Sequence, residues 1–336
     1  MLKLADFRAK AKGLSDLVPY AALVVPGFIL NKDGSFTAGW EVRGQDTASS
    51  TQDELAYISA QVNQAAKLLG TGWLLNMDAI RSSHKAYPAP EKSFFPDSVT
   101  QRIEDERRQF FSSDECYSTN TVMTVTYKAN FNEERISAGV ATGSSLEKAL
   151  QRFEATLVEL EDALSVVVRM QRLTEYDAQD DEGEPFLQSD LFSHLHHCIS
   201  GVLQPVRVPK TPMYLDSLLG SQDLIGGVVP RFGNQHILTL AIDGLPQESW
   251  PAMLASLDTL PIQYRFSTRF MCLDQYDAVK EIKSYCKGWR QQVYRFLDQF
   301  FSNPNARANR DALIMAEDAE QAMTEVQGGY VGAGYL

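Results

Sequence analysis

Asn31-Lys32-Asp33-Gly34-Ser35-Phe36-Thr37-Ala38-Gly39-Trp40-Glu41-Val42-Arg43 is the stretch that decides the fold class. Phe36, Ala38, Trp40 and Val42 alternate with Thr37, Gly39, Glu41 and Arg43, the two-residue period of a strand with one face buried. Asp33-Gly34 ahead of them is a turn in which glycine supplies positive φ, and Ala21 to Leu30 is an apolar run. The reading is a β-hairpin over residues 21–44. After it, Ser50 or Thr51 caps a helix, with Glu54 near the capping-box position and Leu55, Ile58, Val62, Ala65 and Leu69 recurring every three to four residues. Gly70 and Gly72 stop that helix, and Trp73 to Ile80 reads as a strand, so the chain opens β-β-α-β.

Further along, His84 to Pro96 reads as a Pro-rich loop, Asp97 to Phe111 as a charged helix and Thr119 to Tyr127 as a strand. Leu146, Leu150, Phe153, Leu157, Leu160, Leu164, Val167 and Met170 predict a long helix with one apolar stripe, which packs on its own sheet or against a partner helix. Asp177 to Pro185 is polar and acidic, which predicts an N-terminal α+β unit over 1–176, an acidic linker over 177–188 and a second α+β unit over 189–336. In that second unit Leu224 to Pro230 and His236 to Ile242 flank a turn at Arg231-Phe232-Gly233-Asn234, Trp250 to Leu257 follows as a helix, and Ile262 to Cys272 alternates as a strand. The order is again β-β-α-β, which suggests a duplicated core. Val279, Ile282, Cys286, Trp289, Val293, Phe296 and Phe300 mark a helix from about Asp274 to Ser302, broken by Asn303-Pro304-Asn305. A last helix from Arg307 to Val326 folds back on it as a helical hairpin, and Gly328 to Leu336 reads as a strand that needs further chain. The fold class is α+β.

Composition narrows the function. Across 336 residues, 44% hydrophobic and 22% charged content excludes a disordered, collagenous or purely coiled-coil chain, and the length suggests two packed units. Net charge −12 with no dense Lys/Arg cluster disfavours direct binding of nucleic acid. Cys116, Cys198, Cys272 and Cys286 contain no CxxC pair and read as reduced thiols of a cytoplasmic chain. The uncharged stretch from Leu17 to Leu30, broken by Pro19 and Pro26, falls short of the ~20 apolar residues of a spanning helix. Lys3, Arg8, Lys10 and Lys12 ahead of it imitate a secretory signal, which Asp6 and Asp16 contradict, or form a helix on a membrane surface.

No motif for catalysis emerges. A P-loop needs a Gly-Lys pair whose amides and ammonium hold phosphates, and no lysine here follows a glycine. Gly143-Ser144-Ser145 reads as a helix cap, and Gly70-Thr71-Gly72 precedes a strand, the wrong order for a dinucleotide fingerprint. His194, His196, His197 and Cys198 are the densest group of metal-ligand types; His194 and His197 share a helical face, but without a second cysteine at ligand spacing they read as packed or exposed imidazoles. Asp177, Gln179 and Asp181 imitate a calcium loop that Glu182 and Gln188 spoil. No Gly-x-Ser-x-Gly elbow is present, and Glu104, Asp105 and Glu106 read as a solvated helix face. No catalytic, cofactor-binding or metal residue is assigned.

Several segments together resemble the N-terminal region of the TrbE/CagE family, the large ATPases of bacterial conjugation and type IV secretion, with the TrbE branch the better match. They are Tyr20-Ala21-Ala22-Leu23-Val24 with Asn31 to Phe36, Gly72-Trp73, Asp78-Ala79-Ile80-Arg81, Pro261 to Phe270, Lys287-Gly288-Trp289-Arg290, Asn309 to Leu313 and Ala316-Glu317-Asp318-Ala319. The resemblance implies a hexamer-forming cytoplasmic ATPase, peripheral to the bacterial inner membrane. Its N-terminal part docks on inner-membrane subunits while a later RecA-like domain binds ATP and Mg²⁺. This chain departs from that pattern by ending before any Walker motif, so the expectation is a truncated or split N-terminal module with no cofactor of its own. Leu17, Tyr20, Leu23, Val24 and Phe28 either meet a small inner-membrane subunit or simply begin the core, and Trp289 and Phe296 on the C-terminal hairpin are the expected contact residues for self-association or for the missing motor domain. A stand-alone scaffold or regulatory protein, or a nucleotide-binding enzyme with an unfamiliar pocket, are the alternatives.

Overall fold

Gly34, at φ +83°, turns the chain between β2 (Phe28–Asn31) and β3 (Phe36–Gly44), and its N–H donates to the Asn31 carbonyl at 3.0 Å. The Asn31 side chain fixes this turn from inside, donating to Ser35 Oγ at 2.9 Å and Thr37 Oγ1 at 2.8 Å. The computed structural model describes residues 13–45, 49–83, 87–112, 116–129, 144–180, 183–211, 213–242, 250, 253–293 and 310–335. Ahead of β2, the expected single apolar strand is two: β1 (Tyr20–Val25) folds back on β2 through Pro26 and Gly27, the latter at φ +76°. Hydrophobic periodicity carries no mark of that second turn because both strands are apolar.

Helix α1 (Leu14–Leu17) is a single turn, and α2 (Gln52–Ala66) starts at a capping box in which Thr51 accepts from Glu54 N–H and the Glu54 carboxylate accepts from Thr51 N–H. β4 (Trp73–Ser83), a short 3₁₀ turn at Pro90–Lys92, α3 (Ser98–Phe111, capped by Asp97) and β5 (Tyr117–Tyr127) follow. Helix α4 covers Ser144–Ser165 and then ends, where the 3–4 spacing predicts helix to Met170. Val168–Arg172 is instead strand β6, paired with the second half of β3 from Trp40↔Arg172 to Gly44↔Val168. The β-branched run Val166-Val167-Val168 favours extended backbone, while Val167 and Met170 keep the apolar spacing by coincidence.

The stretch expected as an acidic linker is a hairpin. β7 (Glu175–Gln179) pairs with β8 (Pro185–Ser189), and the turn is held by Asp180 Oδ1 accepting from Glu184 N–H and by Gly183 at φ +82°. β8 leads directly into α5 (Asp190–Ser200), and β9 (Val206–Arg207) completes a three-stranded sheet. After α6 (Leu215–Leu219), the expected second hairpin shrinks to β10 (Leu224–Ile225), β11 (Arg231–Phe232) and β12 (Gln235–His236), because Gly226, Gly227 and Pro230 interrupt the apolar run. Ala255–Thr259 is 3₁₀ where the sequence predicts an α-helix. β13 (Tyr264–Leu273) does not join a second core: it pairs with β4 from Tyr264↔Arg81 to Met271↔Leu74.

The resulting antiparallel sheet runs β1-β2-β3-β5-β4-β13-β14, with β6 on β3 and β14 (Ala333–Tyr335) on the end of β13. It therefore takes strands from both sides of residues 177–188, and among the described residues no second β-β-α-β core forms. The fold class is α+β as expected. One face carries Phe36, Ala38, Trp40, Trp73, Met123 and Tyr127 against Phe153, Leu157 and Leu160 of α4 and Ala65 of α2. The apolar stripe of α4 thus packs on the chain's own sheet, with Phe153 stacked on Phe36 and Trp73 and edge-on to Phe28. The other face packs Ile29 and Val122 against Leu191, Phe192 and Leu195 of α5 and Leu215 and Leu219 of α6. Helices α7 (Gln275–Val293) and α8 (Arg310–Gln327) pack on each other, tied by the Arg290–Glu320 ion pair and by Gln275 donating to the Val326 and Gln327 carbonyls at 2.9 and 2.8 Å. The Asn303-Pro304-Asn305 break lies outside the described residues.

Candidate functional site

The densest chemistry sits where α5 crosses β4. Along β4, Trp73, Leu75 and Met77 pack into the first core, so Asp78 points to the opposite face, beneath α5. Helix α5 is held rigidly: Ser189 caps it by accepting from Phe192 N–H, Gly201 at φ +73° ends it, and Leu191, Phe192 and Leu195 anchor its apolar side. One turn apart on that helix, His194 and Cys198 both reach Asp78. His194 Nε2 lies 3.5 Å from Cys198 Sγ and 3.7 Å from Asp78 Oδ2, and the donor atoms of all three lie within 4.8 Å of one another. Arg265 of β13 closes the cluster, its Nε 3.4 Å from Asp78 Oδ1 and its Nη1 donating to the Cys198 carbonyl at 2.7 Å.

Burial sets the protonation of this cluster. It pushes the His194 imidazole down to about 4, with Asp78 pulling the other way, so His194 is uncharged near neutral pH. It pushes the Cys198 thiol up to about 12, which keeps the sulfur protonated, and raises Tyr20 to about 12, with the negative charge of Asp78 adding to the effect. Asp78 Oδ1 is buried and accepts no hydrogen bond, although the Arg265 charge is beside it. The other histidines go elsewhere: His196 meets Ser200 Oγ at 3.2 Å and Gln204 Nε2 at 3.3 Å, and His197 is half-buried. Sequence spacing pairs His194 with His197; the structure pairs it with Cys198 and with Asp78, a residue on a distant strand that no local motif marks.

The expected partner-contact residues are scattered. Leu17 and Val24 are exposed, Tyr20 and Leu23 lean onto the second core, and Phe28 is 2% exposed between Phe153 and the Arg172 guanidinium, which removes it from any contact surface. Trp289 is half-buried on α7, and Phe296 lies outside the described residues. Beside α7, a groove of about 530 Å³ is lined by Lys283, Lys287, Arg290, Cys286, Glu320 and Met323. The N-termini of α2, α3 and α5 are capped by the side chains of Thr51, Asp97 and Ser189, each accepting from a backbone N–H of the first turn.

A larger apolar surface escapes sequence reasoning. Between Leu224 and Ile262, thirteen large apolar side chains are exposed among the described residues, including Val228, Leu238, Leu240 at 98% exposure, Ile242 and Trp250, whereas Phe232 alone is buried. Alternation reads these residues as a core hairpin; the glycines and proline that break the run leave its side chains without a sheet to cover.

Residues 27–134 match the model of the type IV secretion system ATPase VirB4/TrbE N-terminal domain. The whole chain aligns with the conjugal transfer protein TrbE of Rhizobium radiobacter at 35% identity over 344 residues, covering 42% of that relative. It is 40% identical over 129 residues to the first portion of the probable conjugal transfer protein TrbE of Sinorhizobium fredii, taking in 38% of this chain and 87% of that one. Against the type IV secretion system protein virB4 of Brucella suis it is 23% identical over 233 residues, 65% of this chain and 27% of that relative. The chain thus spans less than half the length of the TrbE protein that it matches from end to end. With most of the Sinorhizobium fredii protein covered at that identity, the chain belongs to the TrbE family of type IV secretion ATPases and corresponds to its N-terminal region.

Proposed function

We propose that the chain is the assembly module of a conjugal transfer ATPase: it docks the motor on inner-membrane subunits of the secretion machine and supports oligomerisation, while ATP and Mg²⁺ are handled by a domain outside it. The observation that carries this is the set of exposed large apolar side chains among the described residues between Leu224 and Ile262. A concentration of exposed large apolar side chains fits a surface that meets another protein or a membrane. No helix among the described residues is long and apolar enough to cross a bilayer, so attachment at the cytoplasmic face of the inner membrane runs through such surfaces and not through a spanning segment of these residues.

The test is co-purification. The chain is co-expressed with the inner-membrane subunits of its conjugation machine, solubilised in detergent and captured, alongside a Leu238→Ser/Leu240→Ser variant. Both side chains are exposed, so the variant keeps its circular dichroism spectrum and melting temperature. Membrane subunits retained by the wild type and lost by the variant support the proposal; equal retention refutes it, as does steady ATP turnover by the purified chain. Sedimentation of the two forms reads self-association in the same way.

A further inference from the structure

We propose that Asp78, His194 and Cys198 form a binding site for a divalent cation of the zinc class, which ties helix α5 to strand β4. A tetrahedral zinc with bonds of about 2.0–2.3 Å to nitrogen, oxygen and sulfur sets its donor atoms roughly 3.4–3.6 Å apart. His194 Nε2 already stands 3.5 Å from Cys198 Sγ and 3.7 Å from Asp78 Oδ2. All three donors lie within a 4.8 Å span, so a small contraction closes them on one ion, with the fourth position left to solvent.

The donor set has the chemistry of that class. Imidazole and thiolate suit zinc and cobalt, whereas magnesium and calcium take oxygen shells. His194 is held uncharged by burial, the form that ligates. Asp78 is 6% exposed, and its two oxygens face different ways: Oδ1 toward Arg265 and Oδ2 toward His194. Arg265 therefore serves as the outer partner that orients a ligating carboxylate, leaving Oδ2 for the ion. Its charge opposes the cation, and loss of the Cys198 proton on binding offsets part of that opposition. Cys198 is the one of the three donors that is not fully buried.

Purified full chain, stripped with chelator, is titrated with Co²⁺. The expected result is one equivalent bound, with the intense visible bands of tetrahedral cobalt and a thiolate-to-cobalt charge-transfer band, all displaced by Zn²⁺. Cys198→Ser abolishes the charge-transfer band, and Asp78→Asn weakens binding by about tenfold or more. Calorimetry in buffers of different ionisation enthalpy shows about one proton released per metal, since the bound sulfur starts as a thiol. Absence of the charge-transfer band at saturating Co²⁺, or its persistence in Cys198→Ser, overturns the proposal. Should either variant fail to fold, the wild type still decides: Zn²⁺ slows iodoacetamide modification of Cys198, mapped by mass spectrometry, and an unchanged rate overturns the assignment.

Discussion

At the scale of single residues, the buried imidazole of His194 makes the protein sensitive to acid. Its folded pKa of about 4 lies below the ordinary 6.5, so between those values the unfolded chain binds the extra proton and the folded one does not. Stability present at pH 7 is therefore lost as pH falls toward 4. Asp78 draws the proton in, while Arg265 and His197 oppose it. Thermal melts from pH 7 to pH 5 check this: the wild-type midpoint falls, and His194→Gln removes that part of the slope. A slope unchanged by the substitution means that His194 is not buried uncharged. Sequence makes His194 and Cys198 visible as ligand types. It conceals Asp78, because a carboxylate on the inward face of a strand has the same one-letter code as one on the surface, and only the crossing of α5 over β4 tells them apart.

At the scale of elements, local chemistry is legible wherever it decides the outcome. Thr51 and Glu54 predict their capping box, and Thr51→Ala is expected to cost about 1 kcal/mol in urea denaturation. Gly72 reads as a helix stop; the structure adds that it sits at φ +93° with the Lys128 carbonyl 2.8 Å from where a Cβ would stand. Gly72→Ala is thus expected to destabilise by more than ~1 kcal/mol in the same assay, beyond the ordinary entropy gain of such a change. Periodicity fails where two structures share one spacing. Val167 and Met170 fit both the end of α4 and the start of β6, and the turn at Gly27 disappears inside a continuous apolar run. Charge also misleads: the acidic composition of residues 177–185 suggests a linker, although Asp180 and Gly183 are what a tight hairpin turn needs.

At the scale of the whole molecule, the α+β class is legible and the partition is not. Each half offers strands of similar pattern, and composition says nothing about which strand another will choose. The pairing of β13 with β4 makes the sheet common property of early and late segments. A fragment ending at residue 176 is therefore expected to be poorly structured, since β4 loses its β13 neighbour and the second core loses α5 and α6. Limited proteolysis and circular dichroism check this: a resistant fragment with a cooperative melt would show that the first segment folds alone.

The same pairing has a consequence for biosynthesis. Ser83 and Gln263, which meet at the end of β4 and the approach to β13, are 180 residues apart in the chain. At ~5–20 residues per second, a ribosome needs roughly 10 to 35 s to deliver the later strand after the earlier one emerges. For that interval the nascent polypeptide displays the flank of β4 bare, a template for accidental strand addition in the crowded cell.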